Sequence, residues 1–568
     1  MIVGIDLGTT NSLVSVWRDG KVEVIPNSMG EKLTPSVVGL DDQGQVLVGQ
    51  AAKERLITHP ELTIANFKRY MGTDRETMLG KKQLRCEELS ALVLKSLKAD
   101  AEAYLGETIV EAVVTVPAYF NDLQRKATRI AGELAGLKVE RLLNEPTAAA
   151  LAYGLQDRKE SRFLVFDLGG GTFDVSIVEY FEDILEVHAS AGNNFLGGED
   201  FTGQIYTDFF CPHLDKLGVD IQSIPPRLEQ LLRFRSEQAK VQLSSSNKVL
   251  MNVQWEEKSF DVEITSDQFE KSVEPLLEKI SDPIRRALRD SKLRAGDLDE
   301  IVLVGGATRM SVVRSMVTRL FKRFPATQID PDKVVVVGAA IQSALKSRNE
   351  ALQDTVMTDV CPYTLGTDVC RGEGINITYG YFLPIIERNS FIPVSREETL
   401  YTVSDNQTQV EFNIYQGESP KVKDNVFLGK LNVAVPKNKQ GEESVTCRFT
   451  YDINGLLEVE VTVVSSGEKG SIVIEENPGV LSADEVAQRL KELERLKIHP
   501  REQLPNQALI NRAERMYQEY VGEKRDYISN WLSGFSVILE KQDEREIREA
   551  RKDFSERLDE IEDDSVFQ

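Results

Sequence analysis

The sequence predicts a multidomain protein in which a duplicated α/β domain is followed by an antiparallel all-β domain and then by a helical segment. Two similar strand–turn–strand segments, at residues 2–16 and 164–178, predict the duplication. Apolar and polar side chains alternate through residues 410–415 and 457–463, which is typical of strands that bury one face. Residues 481–568 are rich in charged residues and carry apolar side chains at helical spacing, so we expect helices there.

The composition is that of a folded globular protein. The chain has 568 residues, of which 41% are hydrophobic and 28% are charged, and these values argue against disorder throughout. Acidic residues number 91 and basic residues 68, which gives a net charge of −23. Such an acid excess argues against nucleic acid or a membrane as a partner. Polyphosphates stay open as ligands, because glycine loops and Mg²⁺ can bind them inside an acidic protein.

Cysteine usage and apolar runs predict a cytoplasmic protein. The longest apolar run is too short for a bilayer, which needs about 20 residues, and the chain start lacks the features of a signal peptide. The four histidines form no metal-binding or catalytic array. The cysteines form no C-x-x-C pair, so we expect neither structural zinc nor disulfides. The five cysteines are Cys86, Cys211, Cys361, Cys370 and Cys447.

The repeated segment predicts one β-hairpin in each half of an α/β domain that spans residues 1–348. Each copy has an apolar strand, then Asp-Leu-Gly, a small polar turn and a second apolar strand. Asp6 and Asp167 occupy equivalent positions in the two copies. Helical patterns alternate with short apolar segments, which indicates mixed sheets covered by helices. We assign three of these segments to strands, at residues 112–116, 301–304 and 334–337.

Three further regions follow the α/β domain. Residues 349–362 are predicted to be a linker, and residues 363–480 to be an antiparallel β domain with a hairpin turn at Asn454-Gly455. In the last region, residues 481–568, a capping box at 482–485 begins a helix. Because its apolar stripe is narrow, we expect this region to be an extended helical subdomain and not a globular core.

The two hairpin turns predict a phosphate-binding site. A turn rich in Gly and Thr directs backbone N–H groups and hydroxyls inward, which makes a concave site for anions. Two such turns facing each other would hold both ends of a triphosphate. Asp6 and Asp167 would then hold Mg²⁺ largely through its waters. A single hairpin of this kind is most often an ordinary tight turn, so the prediction depends on the presence of two copies.

Several motifs together resemble the seventy-kilodalton heat-shock chaperones, the DnaK-like family within the actin and sugar-kinase ATPase superfamily. The resemblance extends from residue 1 to about residue 480 and is weaker in the helical region, and the shorter chain resembles a specialised bacterial, HscC-like branch. It implies an actin-like ATPase domain, a β-sandwich that binds peptides and a helical lid. The motifs lie at residues 4–12, 114–122, 144–150, 167–174, 303–309, 404–407 and 415–418.

The resemblance implies a site for ATP or ADP with Mg²⁺, and K⁺ as an optional further cation. Lys68, Glu145, Asp167 and Thr172 would be catalytic, with Asp174 completing the network and Asp6 and Asp167 ordering the magnesium waters. Taken alone, Lys68 would be an ordinary surface lysine, so the catalytic interpretation depends on the whole set. The residues implied to contact the nucleotide are Gly8, Thr9, Thr10, Asn11, Gly169, Gly170, Gly171, Thr172, Glu237, Lys240, Ser244, Gly305, Gly306, Arg309 and Asp332.

Three departures from the family pattern concern the bound nucleotide and its release. Val241 stands where the family has an arginine that stacks on adenine, and Ala307 stands in place of a serine. The segment 246–265 is shorter than in general family members, and their exchange factor docks there. We therefore expect weaker nucleotide retention and an exchange factor that is dispensable, whereas a J-domain co-chaperone remains an implied partner.

The resemblance also implies a peptide site and its coupling to the nucleotide. Unfolded or extended client peptides would contact Cys370, Val403, Val410 and Phe412, although the apolar stripe of the last two is also typical of a sheet core. The residues implied to couple the two sites are Pro117, Arg125 and Asp359. A small-molecule kinase on the same ATPase fold is the alternative, as is a filament-forming actin relative. Neither alternative explains residues 363–568.

Overall fold

The computed structural model describes residues 1–157, 160–181, 184–326, 330–347, 356–372, 378–452, 455–474 and 499–566. The chain divides into two compact units, the N-terminal unit Met1–Tyr363 and the C-terminal unit Thr364–Gln568. The finer division into four regions, with boundaries at 348, 362 and 480, stays a prediction. Among the described residues, no helix is both long enough and apolar enough to cross a membrane.

The first half of the N-terminal unit is built on a mixed sheet with the order β11-β10-β1-β2-β3. Strands β1, β10 and β11 run parallel, and β1, β2 and β3 form an antiparallel meander. Its strands are β1 (Ile2–Asp6), β2 (Asn11–Arg18), β3 (Lys21–Ile25), β4 (Thr34–Pro35), β5 (Val38–Leu40), β6 (Val46–Val48), β7 (Thr63–Ile64), β8 (Glu76–Leu79), β9 (Lys82–Arg85), β10 (Glu111–Val116) and β11 (Lys138–Asn144). Its helices are α1 (Gln50–Lys53), α2 (Cys86–Leu105), α3 (Asp122–Leu134) and α4 (Glu145–Asp157).

The second half repeats this topology around its own core. Strand β17 runs parallel to β12, and β12, β13 and β14 form an antiparallel meander, as β10 and β1 to β3 do in the first half. The buried apolar side chains of the two halves form separate clusters. Its strands are β12 (Ser161–Leu168), β13 (Phe173–Phe181), β14 (Ile184–Asn193), β15 (Lys248–Trp255), β16 (Lys258–Thr265), β17 (Glu300–Val304) and β18 (Val356–Val360). Its helices are α5 (Gly198–Ile205), α6 (Leu214–Leu217), α7 (Pro226–Leu243), α8 (Ser266–Asp290), α9 (Ser311–Phe321) and α10 (Val334–Lys346).

The assignment of residues 334–337 to a strand is wrong, because these residues begin helix α10. Four consecutive valines favour a strand by intrinsic preference. Helix α10, however, packs against α4, β1, β2 and β10, and nearly every one of its residues is buried. Burial on all sides removes the usual polar face of a helix, and tertiary packing overrides the weak propensity of valine. The strands at 112–116 and 301–304 are correct.

The contact between α10 and α4 depends on a missing side chain. A Cβ atom at Gly338 of α10 would lie 1.9 Å from the carbonyl oxygen of Ala148 in α4. The two helix backbones can approach this closely only because residue 338 is glycine. Helix α4 begins at Glu145, so this contact between the helices also fixes the position of the Glu145 carboxylate relative to α10.

Replacement of Gly338 by alanine should therefore destabilise the N-terminal unit, since overpacking of a buried contact costs about 1–3 kcal/mol. The matched control is Gly203→Ala in α5, where a Cβ atom would meet nothing within 4 Å. The control should be neutral or slightly stabilising, because alanine favours a helix over glycine by roughly 0.5–1 kcal/mol. Calorimetric melting of both variants measures the difference, and an unchanged melting temperature for Gly338→Ala would contradict the close approach.

The C-terminal unit begins with two antiparallel sheets of four strands, with the orders β20-β19-β23-β24 and β22-β25-β26-β27. Alternate residues of both sheets are buried, among them Phe412 and Ile414 in one sheet and Phe449 and Val461 in the other. The predicted alternation in 410–415 and 457–463 is therefore correct. The strands are β19 (Leu365–Arg371), β20 (Thr378–Ile386), β21 (Phe391–Ile392), β22 (Val394–Tyr401), β23 (Gln409–Gln416), β24 (Val426–Ala434), β25 (Ser444–Tyr451), β26 (Leu457–Val463) and β27 (Lys469–Ile474).

Strands β25 and β26 pair in antiparallel register on either side of the predicted hairpin turn, with Tyr451 opposite Leu457. Of the turn itself, residue 454 lies outside the described residues, as does the predicted capping box at 482–485.

The helical region forms a bundle with its own core, so the expectation of an extended subdomain is wrong. Helices α11 (Leu504–Glu519), α12 (Glu523–Glu540) and α13 (Glu544–Val566) are joined by short breaks and pack against one another. The breaks contain Gly522 and Gln542 with left-handed backbones, at φ 68° and 55°. The narrow apolar stripes of the three helices therefore face one another and form a shared core. The fully buried core residues include Ala513, Met516, Ile528, Leu539, Ile547 and Leu558.

Candidate functional site

A cavity of about 350 Å³ opens in the N-terminal unit where the two hairpin turns meet. It brings together the sequence-predicted nucleotide residues with one exception, Gly171. The predicted residues that line it are Asp6, Gly8, Thr9, Thr10, Asn11, Lys68, Glu145, Asp167, Gly169, Gly170, Thr172, Glu237, Lys240, Ser244, Gly305, Gly306, Arg309 and Asp332.

The two turns touch each other, and glycine makes this possible. A Cβ atom at Gly170 would lie 1.8 Å from the Thr10 hydroxyl oxygen. Each turn joins the two strands of its hairpin in the same register. Asp6 pairs with Leu13 across the first hairpin, and Asp167 pairs with Asp174 across the second. The contact leaves the backbone of both turns close to one small volume, as a phosphate site requires.

The start of helix α5 holds the second turn from behind. The N–H groups of Gly198 and Glu199 donate to the carbonyl oxygens of Gly169 and Gly170, each at 2.9 Å. A Cβ atom at Gly197 would lie 2.4 Å from the Gly171 nitrogen. Within the turn, the Gly169 N–H donates to the Thr172 carbonyl oxygen at 3.1 Å, so both the start of α5 and the turn itself fix its backbone.

Acidic side chains gather around one lysine on the floor of the cavity. Lys68 is 3% exposed, and its Nζ lies 2.9 Å from Oε1 of Glu145. The Asp6 carboxylate accepts a hydrogen bond from the Thr115 hydroxyl at 3.0 Å, and the Asp174 carboxylate accepts one from the Tyr119 N–H at 3.1 Å. The four carboxylates of Asp6, Glu145, Asp167 and Asp174 thus outnumber the lysine charge.

Burial raises the pKa of these carboxyl groups. Burial first and the nearby Glu145 second raise the pKa of Asp6 to about 7, against the lowering effect of Lys68. The same two causes raise the pKa of Asp174 to about 8. The pKa of Asp167 is raised well above its usual value by burial and by Glu145, Asp174 and Asp6. Burial therefore disfavours the charged form of these carboxyl groups, and a hydrated divalent cation beside them would favour it. Among the described residues, no group of three or more His, Cys, Asp or Glu has the geometry of direct metal ligands.

The far end of the cavity is lined by helix α7 and by the loop around residue 306. Lys240 donates to the carbonyl oxygen of Gly198 at 3.0 Å and lies 2.6 Å from the Glu237 carboxylate. Val241 lines the cavity and is 58% exposed. The guanidinium of Arg309 pairs with Asp332 at 2.6 Å and with Asp330 at 2.9 Å. Val241 therefore presents an apolar side chain to the cavity, and the Arg309 guanidinium is already paired with two carboxylates.

Some residues of the cavity were missed from the sequence. Gly198 and Glu199 follow a glycine and precede an acid at the start of α5, so this run of small and acidic residues was a signal for a helix N-terminus. The apolar residues gave no signal, since similar residues occur throughout the core. The missed residues are Leu13, Leu33, Gly198, Glu199, Val304, Met310, Pro331 and Val335.

The end of the predicted linker lies in the sheet of the second half. Strand β18 pairs with β14 in parallel, with Val356 opposite Ile184 and Met357 opposite Leu185. Residues 348–355 lie outside the described residues. Asp359 is buried, and its carboxylate accepts hydrogen bonds from Asn144 at 3.0 Å and from the Thr147 hydroxyl at 3.3 Å.

A chain of hydrogen bonds joins Asp359 to the cavity. Asn144 accepts a hydrogen bond from Arg125 at 2.7 Å, and Arg125 also donates to the carbonyl oxygens of Ala118 and Phe120. Both residues lie in the segment after Pro117. Tyr119, between them, donates its N–H to Asp174, which interacts electrostatically with the cavity residues Glu145 and Asp167. The structure thus brings the three predicted coupling residues Pro117, Arg125 and Asp359 into one network.

The predicted peptide-binding residues lie in the β-sandwich with different exposures. Cys370 in β19, Val410 in β23 and Val403 after β22 are half-buried. Phe412 is only 2% exposed and belongs to the sandwich core. Phe412 therefore presents almost no surface to a ligand, and a peptide-binding role for the other three residues stays a prediction.

These features define the class of protein. Two equivalent α/β halves form a cleft with two turns of the kind that bind phosphate, and a β-sandwich and a helical bundle follow in the chain. The chain matches the Hsp70 protein family over residues 2–78 and 75–566. It belongs to the Hsp70 family, as its motifs predict.

Its relatives include three proteins described as Chaperone protein DnaK. The one from Thermotoga petrophila is 42% identical over 526 residues, which cover 90% of this chain and 86% of the relative. The one from Thermotoga neapolitana is 44% identical over 486 residues, covering 83% and 80%. The one from Thermosipho africanus is 39% identical over 565 residues, covering 95% and 93%. These matches give no support to the kinase alternative, and the HscC-like branch stays a prediction.

Proposed function

We propose that this Hsp70-family chaperone binds ATP with Mg²⁺ in the cavity, hydrolyses it, and thereby changes the affinity of its β-sandwich for extended apolar segments of unfolded clients. The observation that carries the proposal is the buried Lys68–Glu145 pair. Both residues line the cavity with the two hairpin turns, and Glu145 follows Asn144, whose amide donates to Asp359. Hydrolysis of ATP stimulated by an apolar peptide is the direct test, and a protein that hydrolyses no ATP would overturn the proposal.

The residues of the cavity suit the two ends of a nucleotide differently. Backbone N–H groups of the two turns, with Thr9, Thr10 and Thr172, would bind the phosphates. Asp6 and Asp167 would hold the waters of Mg²⁺, which neutralises phosphate charge when bound; a site for K⁺ stays a prediction. Glu237, Lys240, Ser244, Gly305, Gly306, Arg309 and Asp332 would surround the nucleoside.

Hydrolysis of the terminal phosphate needs positioning and charge stabilisation more than a strong base. Lys68 supplies a fixed cation, because Glu145 pairs with its ammonium group and the Phe120 ring lies 5.5 Å from it. This cation would orient the attacking water and offset the charge on the transferred phosphoryl group. Glu145 would hold the lysine and the water in line, and Thr172 would contact the terminal phosphate.

Loss of Lys68 should slow turnover and spare binding. Lys68→Ala should bind ATP but hydrolyse it on the order of 10²-fold more slowly, the typical effect of removing one preorganised electrostatic group. Rapid-quench measurement of a single turnover gives the rate, and calorimetry gives the affinity. The control is Lys81→Ala, at an exposed position between β8 and β9. Near wild-type turnover in Lys68→Ala would remove this residue from the mechanism.

The network from Asp174 through Arg125 and Asn144 to Asp359 supports a coupling of the nucleotide to the linker. Asn144 directly precedes Glu145, so a change in the position of the Glu145 carboxylate would be felt at the Asn144 amide. That amide holds Asp359 in place in β18. Pro117 stiffens the segment on which Arg125 acts, since its ring fixes the backbone φ angle.

Loss of Glu145 should uncouple the two activities. We expect Glu145→Ala to bind ATP but to fail to release bound peptide when ATP is added, because the carboxylate that senses the terminal phosphate is gone. Fluorescence anisotropy of a labelled apolar peptide follows the release. Glu257→Ala, at an exposed position between β15 and β16, is the control. ATP-triggered release at the wild-type rate would argue against this role for Glu145.

The family also suggests partners and a location. A J-domain co-chaperone would stimulate hydrolysis and deliver clients, and the location would be the cytoplasm. We propose neither nucleic acid nor membrane as a partner. The β-hairpin of β15 and β16 spans Lys248–Thr265 and so forms most of the segment 246–265, which is short compared with general family members. With this docking surface reduced, nucleotide exchange would proceed without an exchange factor.

Nucleotide release gives a test of the position 241 departure. Val241→Arg should slow the dissociation of ADP by roughly 3- to 30-fold, because a cation stacked on an aromatic ring contributes about 0.5–2 kcal/mol. The control is Gln242→Arg, which adds the same charge one residue further along α7. Stopped-flow release of a fluorescent ADP analogue is the measurement. Slow release from the wild type that a general exchange factor accelerates many-fold would contradict this account.

A further inference from the structure

The catalytic groups proposed above come from both halves of the N-terminal unit and must be held in register. Lys68 lies in a short 3₁₀ turn, Phe67–Tyr70, of the first half. The second phosphate-type turn, residues 169–172, belongs to the second half. A preorganised electrostatic site works only while its charges keep their distances, and a shift of 1 Å can cost about 10²-fold in rate.

The residue after Lys68 contacts the other half. A terminal guanidinium nitrogen of Arg69 lies 3.0 Å and 2.9 Å from the two carboxylate oxygens of Asp200 in α5. The side chains are 17% and 26% exposed, so the pair is largely shielded from water. Neither residue lines the cavity.

Asp200 passes this contact on to the second turn. Its carboxylate accepts a hydrogen bond from the Gly197 N–H at 2.8 Å. Gly197 lies against Gly171, and a Cβ atom at Gly171 would lie 2.8 Å from Cγ of Arg69. The stem of Arg69 and the loop that its charged end holds therefore enclose the second turn from two sides.

We propose that the Arg69–Asp200 ion pair is a positioning pair that fixes Lys68 relative to the second phosphate-type turn. Neither residue is catalytic, because neither reaches the reacting atoms. The pair sets the distance across the cleft between the Lys68 ammonium and the terminal phosphate. This inference rests on the function proposed for the cleft and assigns to it two residues outside the cavity.

Removal of the pair should lower kcat and leave the binding of ATP nearly intact. We expect Arg69→Met to lower kcat by roughly 10- to 100-fold with KM changed less than about threefold, since the lost feature is alignment. Asp200→Asn should have a similar effect, because it removes the charge but keeps an oxygen for the Gly197 N–H. Arg69→Lys should recover most of kcat. The control is Arg285→Met, which removes an exposed pair on α8.

A double-mutant cycle separates positioning from a merely structural role. If Arg69 acts through Lys68, Arg69→Met should add little to the defect of Lys68→Ala, and the two effects should be strongly non-additive. Fully additive losses, unchanged kcat in Arg69→Met, or loss of ATP binding in parallel with kcat would each overturn the proposal. Melting curves of all variants show whether each one is folded, and Arg69→Lys and Asp200→Asn keep the test decisive should Arg69→Met misfold.

This test is distinct from that of the proposed function. A wild-type protein without ATPase activity would reject the function itself. An active wild type that Lys68→Ala slows and Arg69→Met does not slow would reject the positioning pair alone.

Discussion

The contact between the two hairpin turns is the constraint on which the rest of the N-terminal unit depends. The turns can meet only because glycine occupies the place where a Cβ atom would overlap the Thr10 hydroxyl. Two halves of equal topology are thereby brought together at their strand ends, with Asp6 and Asp167 side by side. The cavity opens where the two turns meet, and Lys68 and the acidic side chains line it there. A single half would supply one turn and one carboxylate, which is an incomplete site for a triphosphate.

The buried charges make the same region dependent on its ligand. Four carboxylates share one lysine, and burial raises the pKa of three of them, Asp6, Asp167 and Asp174. A buried charge without a partner is costly, so the cation and polyphosphate proposed for this site would compensate these groups. The same charges touch the Tyr119 backbone and, beyond it, the hydrogen bonds of Arg125 and Asn144. The binding and the coupling proposed for this unit would therefore use connected side chains.

Much of the fold could be predicted from the sequence, because repeats and the spacing of apolar residues within short segments indicate it. The repeated hairpin gave both halves, and alternation gave the sandwich strands. Helix α10 was missed because its valines have the local preference of a strand, and only burial on all sides decides otherwise. The helical bundle was missed because each stripe is narrow by itself, and the two breaks that fold the helices together carry Gly522 and Gln542 among otherwise helical residues.

The site divides in the same way. Residues in motifs, such as Thr10, Lys68 and Glu145, could be found from the sequence, whereas Leu33 and Met310 could not, because an apolar residue that lines a cavity resembles one in a core. The Arg69–Asp200 pair joins positions 131 residues apart, and no local pattern links them. Phe412 shows the opposite case, since a residue placed in a binding stripe by resemblance lies in the sandwich core.

The parallel pairing of β18 with β14 fixes the position of Asp359 along the sheet. Side chains on a strand alternate between faces, so a slip of one residue would turn the Asp359 carboxylate away from Asn144 and Thr147. The number of residues between Val356 and Asp359 is therefore constrained by the strand register. An insertion or deletion of a single residue here should therefore break the hydrogen bonds of Asp359 even if every side chain in the cleft is intact. Chimeras of this chain with relatives should be joined outside this strand.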